Sequence, residues 1–317
     1  MPKPMLGPLL VSSDKRMDAL LARATERGAI GMAIVHPTSA LAISAADEAF
    51  RAGLIEPVLV GPTKRIDTAA DEAGVDLNGW MCVDVEHSHE AAEQACAMVA
   101  DGKVQALMKG SLHTDELLRA VLANPKVRSD RRLSHVFVFD DPAYHKLFLV
   151  TDGAVNIAPT LDHKADIVRN AVDLFAKLVC EDRPAKVAAL AAVETVSPDM
   201  PATVEAAALA KMADRGQLGS CIVDGPLAFD NAISAEAAKQ KEIVSAVAGD
   251  PDILMVPNLE AGNILAKQLT FLGDAESCGI VLGARVPIAL TSRADGERAR
   301  LLSCALAVLA GDPGRRE

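Results

Sequence analysis

Aromatic residues are scarce, at 3% of 317 residues with one Trp and one Tyr. A protein that binds nucleic acid by stacking bases needs an aromatic platform, and this chain lacks one. Basic charge is also short. Thirty-two Lys and Arg stand against 43 Asp and Glu, for a net charge of −11. That balance excludes a chain-wide field that would attract nucleic acid or an anionic membrane, although a few cations focused in one place can still hold phosphates. None of the six cysteines forms C-x-x-C, and several lie in apolar runs such as SCIVDG (220–225) and LLSCALAVLA (301–310), as small core residues do. No apolar stretch is long enough to span a bilayer, and prolines interrupt the first eight residues where a secretory signal would need an apolar core. The expectation is a reduced, soluble, cytoplasmic protein with no membrane and no nucleic-acid partner.

Several catalytic fingerprints are missing as well. There is no G-x-G-x-x-G after a strand, no G-x-x-x-x-G-K-[ST] and no G-x-S-x-G. All seven histidines lie at or before His163, so a serine in the later half has no local imidazole base. A hydrolytic triad would need a distant partner that nothing designates. Chemistry that needs no nucleophilic Ser remains open: attack by a substrate's own nucleophile, with the protein supplying charge stabilisation and a base.

What the chain does have is apolar bulk and alternation. Half of its residues are apolar, and its length exceeds that at which single cores stop growing, so two domains are expected. Strands are predicted at Gly31–His36, Glu56–Gly61 and Val104–Met108, with helices over Ser39–Ala52 and Ser88–Ala100. Strand–helix alternation predicts parallel βαβ units with ligand loops at the carboxyl ends of the strands. HVFVFD and KLFLVTD, separated by Asp141–His145, read as an antiparallel hairpin. An amphipathic helix over Leu161–Val179 follows, with Thr160 as N-cap. A second α/β series then runs through 187–193, 221–225, 252–257, IVLG and VPIALT. The expected fold is therefore α/β with parallel-rich sheets. The crossover is placed near the hairpin: residues 1–153 plus 285–317 form one domain and 154–284 the other.

Four segments carry candidate chemistry. Ile288–Thr291 is an apolar run that ends in Ser292 and Arg293 just before a helix rich in Asp, Glu and Arg. A hydroxyl, free N–H groups, a helix dipole and a guanidinium gathered there suit a tetrahedral oxyanion; an N-capping Ser with a surface Arg is the plainer account. Lys109-Gly110-Ser111-Leu112-His113-Thr114 follows a strand and reads as a substrate loop. Asn258-Leu259-Glu260-Ala261-Gly262-Asn263 also leaves a strand and enters a helix. Gly262 costs up to about 1 kcal/mol in a helix interior and so signals close backbone approach, and Asn258 and Asn263 offer amides. Capping and helix packing would explain the same residues. His87-Ser88-His89-Glu90 could be a metal pair, but it opens a predicted helix, where i and i+2 diverge; no metal site is expected.

ALMKGSLHTDELLRAVL (106–122), LFLVTDGAVNIAPTLDHKADI (147–167), AAVETVSPDMPAT (191–203), DGPLAFDN…PNLEAGNILAKQL (224–269) and IALTSRAD (288–295) together resemble the phosphate acetyltransferase and phosphate butyryltransferase family. PNLEAGN and LTSR are the most specific of these segments. The resemblance implies two α/β domains about a cleft, similar to isocitrate and isopropylmalate dehydrogenases, and a homodimer. It implies the reversible reaction of a short-chain acyl-CoA with inorganic phosphate to give acyl phosphate and CoA, with CoA as substrate and no bound cofactor. Ser292 and Arg293 would lie at the reaction centre, Arg293 on the phosphate oxyanions and Ser292 on the reacting carbonyl or leaving thiolate. Lys109, Arg119 and Lys267 join Arg293 as candidate cations. Acetyl-transferring relatives tend to carry an Asp seven positions after the motif Ser. Here that position is Ala299, and LTSRAD looks more like the butyryl branch, so Asp295 becomes the candidate base. Two other readings stay open: a binding protein for acyl-CoA or acyl phosphate that lost turnover along with the acid at 299, and a metal- and NAD-dependent dehydrogenase of similar fold.

Overall fold

The computed structural model describes residues 16–179, 182–290 and 295–311. The chain divides into two compact units. A terminal unit comprises Asp18–Arg131 and Cys278–Glu317, and a central unit comprises Met1–Met17 and Arg132–Ser277. These boundaries differ from the expected 153/154 and 284/285. The hairpin expected to close the first domain belongs with the central unit, because its second strand pairs with a strand of that unit.

The terminal unit opens with α1 (Arg16–Arg27), whose first two residues count with the central unit. It continues through β1 (Ile30–Val35), α2 (Ala40–Arg51), β2 (Ile55–Gly61), α3 (Thr63–Ala73), β3 (Met81–Asp84), α4 (Ser88–Ala100), β4 (Ala106–Lys109) and α5 (Thr114–Ala123). Met32–Val35 are fully buried, so β1 reads as a continuous apolar run rather than an alternating one. α2 buries Ala42, Ile43, Ala45, Ala46 and Ala49 on one stripe, and the Ser39 hydroxyl at its start accepts from Ala42 N at 3.4 Å.

The central unit contains β5 (Ser134–Asp140), β6 (Phe148–Thr151), α6 (Leu161–Leu178), β7 (Ala185–Leu190), α7 (Pro201–Asp214), β8 (Cys221–Leu227), α8 (Phe229–Ile233), α9 (Ala235–Gln240), β9 (Ile253–Met255) and α10 (Leu259–Leu272). Its strands run in the order β5-β6-β9-β7-β8. β5 and β6 form the expected antiparallel hairpin, and the other pairs are parallel. Phe139, Tyr144 and Phe148 anchor the core, with the Tyr144 hydroxyl donating to Pro251 O at 2.8 Å.

The chain then re-enters the terminal unit with β10 (Glu276–Leu282), β11 (Ile288–Ala289) and α11 (Glu297–Ala310). That unit's strand order is β3-β2-β1-β4-β11-β10. β11 runs parallel to β4 and antiparallel to β10. The expected return of the last helix is seen here. Residues Leu302–Ala310 of α11 are buried, and Arg27 donates to Leu309 O and Gly311 O at 2.6 Å each.

An ion network braces the start of β9 in the central unit. Asp252, with no exposed surface, accepts from Lys146 Nζ at 2.7 Å, from Arg183 at 2.7 and 3.0 Å, and from Lys186 N at 2.8 Å. Asp250 meets Lys146, Lys186 and His145. Burial pulls both carboxyls up, but the hydrogen bonds from Lys146 and its cationic neighbours outweigh it and leave both pKa values lowered. A lowered carboxyl stabilises the fold above the unfolded value near 3.8, and that contribution fades as pH falls through the folded value. Asp252→Asn should cost about 3–5 kcal/mol at pH 7, since it removes the buried carboxylate that Arg183 holds and leaves Lys146 with Asp250 alone. Urea titrations should also show the variant losing less additional stability than wild type below pH 4; parallel curves would refute the assignment.

Candidate active site

In the terminal unit β1, β2 and β3 proceed in one direction across the sheet, whereas β4 lies on the other side of β1. The carboxyl ends of β1 and β4 thus form a switch point, where open α/β sheets leave a crevice for ligands. Gly110 N donates to Val35 O and Ser111 N to His36 O, both at 2.9 Å. A Cβ on Gly110 would lie 2.4 Å from Val35 O and 2.8 Å from His36 O, so only glycine allows these loops to meet. The hydroxyls of Ser111 and Ser39 bond at 3.0 Å, joining the β4–α5 loop to the N-cap of α2. α2 and α5 both begin here, with their dipoles favouring negative charge.

β11 ends beside this crevice, because Ala289 pairs in register with Met108 one residue before Lys109. Ser292 and Arg293 follow at once but lie outside the described residues. Asp295 is half-buried, with its backbone carbonyl accepting from Arg300 Nε at 3.1 Å. The expected acidic helix starts at Glu297, after an N-cap at Gly296. Glu297 hydrogen-bonds the Glu48 side chain, whose pKa is raised by burial first and then by Glu297 and Asp47.

The remaining candidates sort by what they touch. Lys109 turns its amine onto its own loop, donating to Gly110 O at 3.2 Å and Leu112 O at 3.3 Å. Arg119 lies on an exposed face of α5, 3.6 Å from Asp115 one turn earlier. In the central unit, Asn258 caps α10 by accepting from Ala261 N at 3.0 Å. Asn263 donates to Gly153 O at 3.1 Å. A Cβ on Gly262 would sit 2.8 Å from Asp152 O and 2.9 Å from Gly153 Cα, which is the close approach expected of it. Glu260 and Lys267 are exposed on α10. His87 is the N-cap of α4, with its N–H donating to Glu90 at 3.3 Å. Among the described residues no three His, Cys, Asp or Glu side chains gather as metal ligands.

Residues 89–308 match the Phosphate acetyl/butaryl transferase family model. A phosphate acetyltransferase of Rickettsia felis is 50% identical over 96% of this chain and 88% of its own length. A probable phosphate butyryltransferase of Bacillus subtilis is 45% identical over 89% of this chain and 97% of its own. The chain belongs to the phosphate acetyl/butyryl transferase family. Its fold agrees: a branched-chain phosphotransacylase from Enterococcus faecalis V583 aligns with a TM-score of 0.77 at 32% identity, covering 89% of this chain and 98% of that one. A 4-hydroxythreonine-4-phosphate dehydrogenase from Klebsiella pneumoniae shares the fold at a TM-score of 0.54 and 14% identity.

Two polar groups of this transferase were missed by sequence reasoning. His36 had been read only as the end of a strand. Asp152, at 2% exposure, collects N–H groups of Ala154, Val155 and Asn156 at 2.9–3.1 Å and the Asn156 amide at 2.6 Å. The Asn156 oxygen in turn accepts from Arg132 Nε, and Arg132 reaches His163 at 3.2 Å. An Asp that ends a β-run, with Asn four residues later, was the available signal.

Proposed function

We propose that this acyltransferase converts a short-chain acyl-CoA and inorganic phosphate into acyl phosphate and CoA, reversibly. A phosphate oxygen attacks the thioester carbonyl carbon, the C–O bond forms, and the C–S bond of the tetrahedral intermediate then breaks to release the CoA thiolate. Arg293 holds the phosphate oxyanions with its planar fork, and Ser292 donates to the carbonyl oxygen as charge develops on it. Asp295 takes the thiol proton in the reverse direction and returns it in the forward one. Lys109, Gly110, Arg119, Asn258, Glu260, Gly262, Asn263 and Lys267 are assigned to substrate binding. Lys109 and Gly110 act through the loop they shape, while Asn258 and Gly262 act by fixing the start of α10.

The observation that carries this reading is the joining of β1, β4 and β11 at one sheet end, with Lys109–Ser111 beside the strand that leads into Ser292 and Arg293. Relatives named for acetyl and for butyryl groups both match closely, so the motif's leaning toward the butyryl branch does not select the acyl chain. CoA is a substrate here, and no electron carrier is needed to balance the reaction. A cytoplasmic location suits polyanionic substrates that do not cross bilayers. Among the described residues no helix is long and apolar enough to cross a membrane.

A homodimer is supported by the apolar face of α10, where Ile264, Phe271 and Leu272 are 66%, 68% and 84% exposed. Thiol release from acetyl- to hexanoyl-CoA, with EDTA present, should depend wholly on added phosphate. CoA binding without release would favour the binding-protein alternative, and loss of release on chelation would favour a metal enzyme. Sedimentation of the same sample should give twice the 33.2 kDa chain mass; a monomer would remove the α10 assignment.

A further inference from the structure

We propose that the His36 imidazole donates a hydrogen bond to a phosphate group of the substrates at the carboxyl end of β1. This inference rests on the transferase reading and adds a positioning residue to it. His36 adopts φ 54°, a left-handed conformation uncommon for a side-chain-bearing residue. Three backbone hydrogen bonds hold it there: its N–H donates to Val60 O at 2.7 Å, and its carbonyl accepts from Thr38 N and Ser111 N at 2.9 Å each. The chain thus accepts a left-handed conformation to hold this residue at the switch point.

The residue is 7% exposed, and its buried Nδ1 has no hydrogen-bond partner among the described residues. A buried N–H without an acceptor is rarer than an acceptor without a donor, so the proton belongs on Nε2. Burial first, and then Arg65, lower the pKa of His36, with Glu116 opposing; the ring is neutral near pH 7. Glu116 is itself engaged by the Ser88 hydroxyl at 2.7 Å. Nε2–H is then a neutral donor on a residue at the sheet end where α2 and α5 both begin. The hydroxyls of Ser39 and Ser111 lie 3.0 Å apart there, and Arg65 reaches Thr38 Oγ1 at 3.4 Å. Inorganic phosphate and the phosphates of CoA share the chemistry this donor serves.

The test is steady-state kinetics of His36→Ala and His36→Gln, with separate KM values for phosphate and for CoA and with Tm measured alongside. The Ala variant should raise one of the two KM values on the order of tenfold with little change in kcat, and Gln, which keeps an N–H donor, should recover most of it. The substrate whose KM moves identifies which phosphate is bound. Unchanged KM values, equal loss in both variants, or a lower Tm as the only effect would overturn the proposal. Should the variants fail to fold, ¹⁵N spectra of wild-type histidines titrated with phosphate and with CoA decide: a shifted His36 Nε2 supports the bond, and no shift with either refutes it. Absence of phosphate-dependent thiol release by wild type would instead remove the transferase reading, which this spectrum does not depend on.

Discussion

Arg293→Ala is expected to lower kcat/KM for phosphate-dependent thiol release by roughly 10²–10³-fold, equivalent to about 2.7–4 kcal/mol of transition-state stabilisation. The charge that develops during attack is spread over phosphate and carbonyl oxygens, and a planar guanidinium meets it with two donors at once. Arg293→Lys should recover only part of the loss, because an ammonium supplies the charge without the fork. The effect should fall mostly on kcat if Arg293 binds the transition state more tightly than phosphate itself. Turnover within about threefold of wild type in the Ala variant would end the assignment and shift attention to the other cations at the sheet end.

Gly110→Ala should be the most damaging single methyl in the terminal unit. The added carbon would meet backbone, not a movable side chain: Val35 O at 2.4 Å and His36 O at 2.8 Å. Relief requires parting the ends of β1 and β4, which breaks the Gly110–Val35 and Ser111–His36 hydrogen bonds and separates the two serines. A cost of about 3 kcal/mol is expected, with activity lost even in the folded fraction. Gly296→Ala is the control. It lies at an ordinary φ of −69° with no atom of the described residues within 4 Å of the new carbon, and should change stability by less than about 1 kcal/mol. Urea midpoints and specific activity of the two variants check both statements, and equal behaviour would mean the β1–β4 approach is not what fixes the loop.

Short-range signals were legible without a structure. Ser39, Thr160 and Asn258 were readable as helix starts because caps act within three residues. β1, β2 and the β5–β6 hairpin were readable because burial sets a local pattern of apolar residues. Gly262 announced close approach because nothing else justifies glycine inside a helix. Even the family was written in ordered motifs, since those segments keep their residue types wherever they fold.

Long-range pairings were not legible. The crossover came at Arg131/Arg132 rather than after 153 because β6 pairs with β9, a strand about a hundred residues further on. Lys109 was readable as a cation after a strand, but not the bonds its amine makes to Gly110 O and Leu112 O. His36 looked like the end of a strand, and only the meeting of β1 with β4 brings its backbone carbonyl to Ser111 N. The sequence by itself determined the elements, their caps and the family, because those depend on neighbours along the chain. The tertiary structure decided strand order, and with it which polar groups share one sheet end, because residues some seventy positions apart are brought together only by packing the whole sheet.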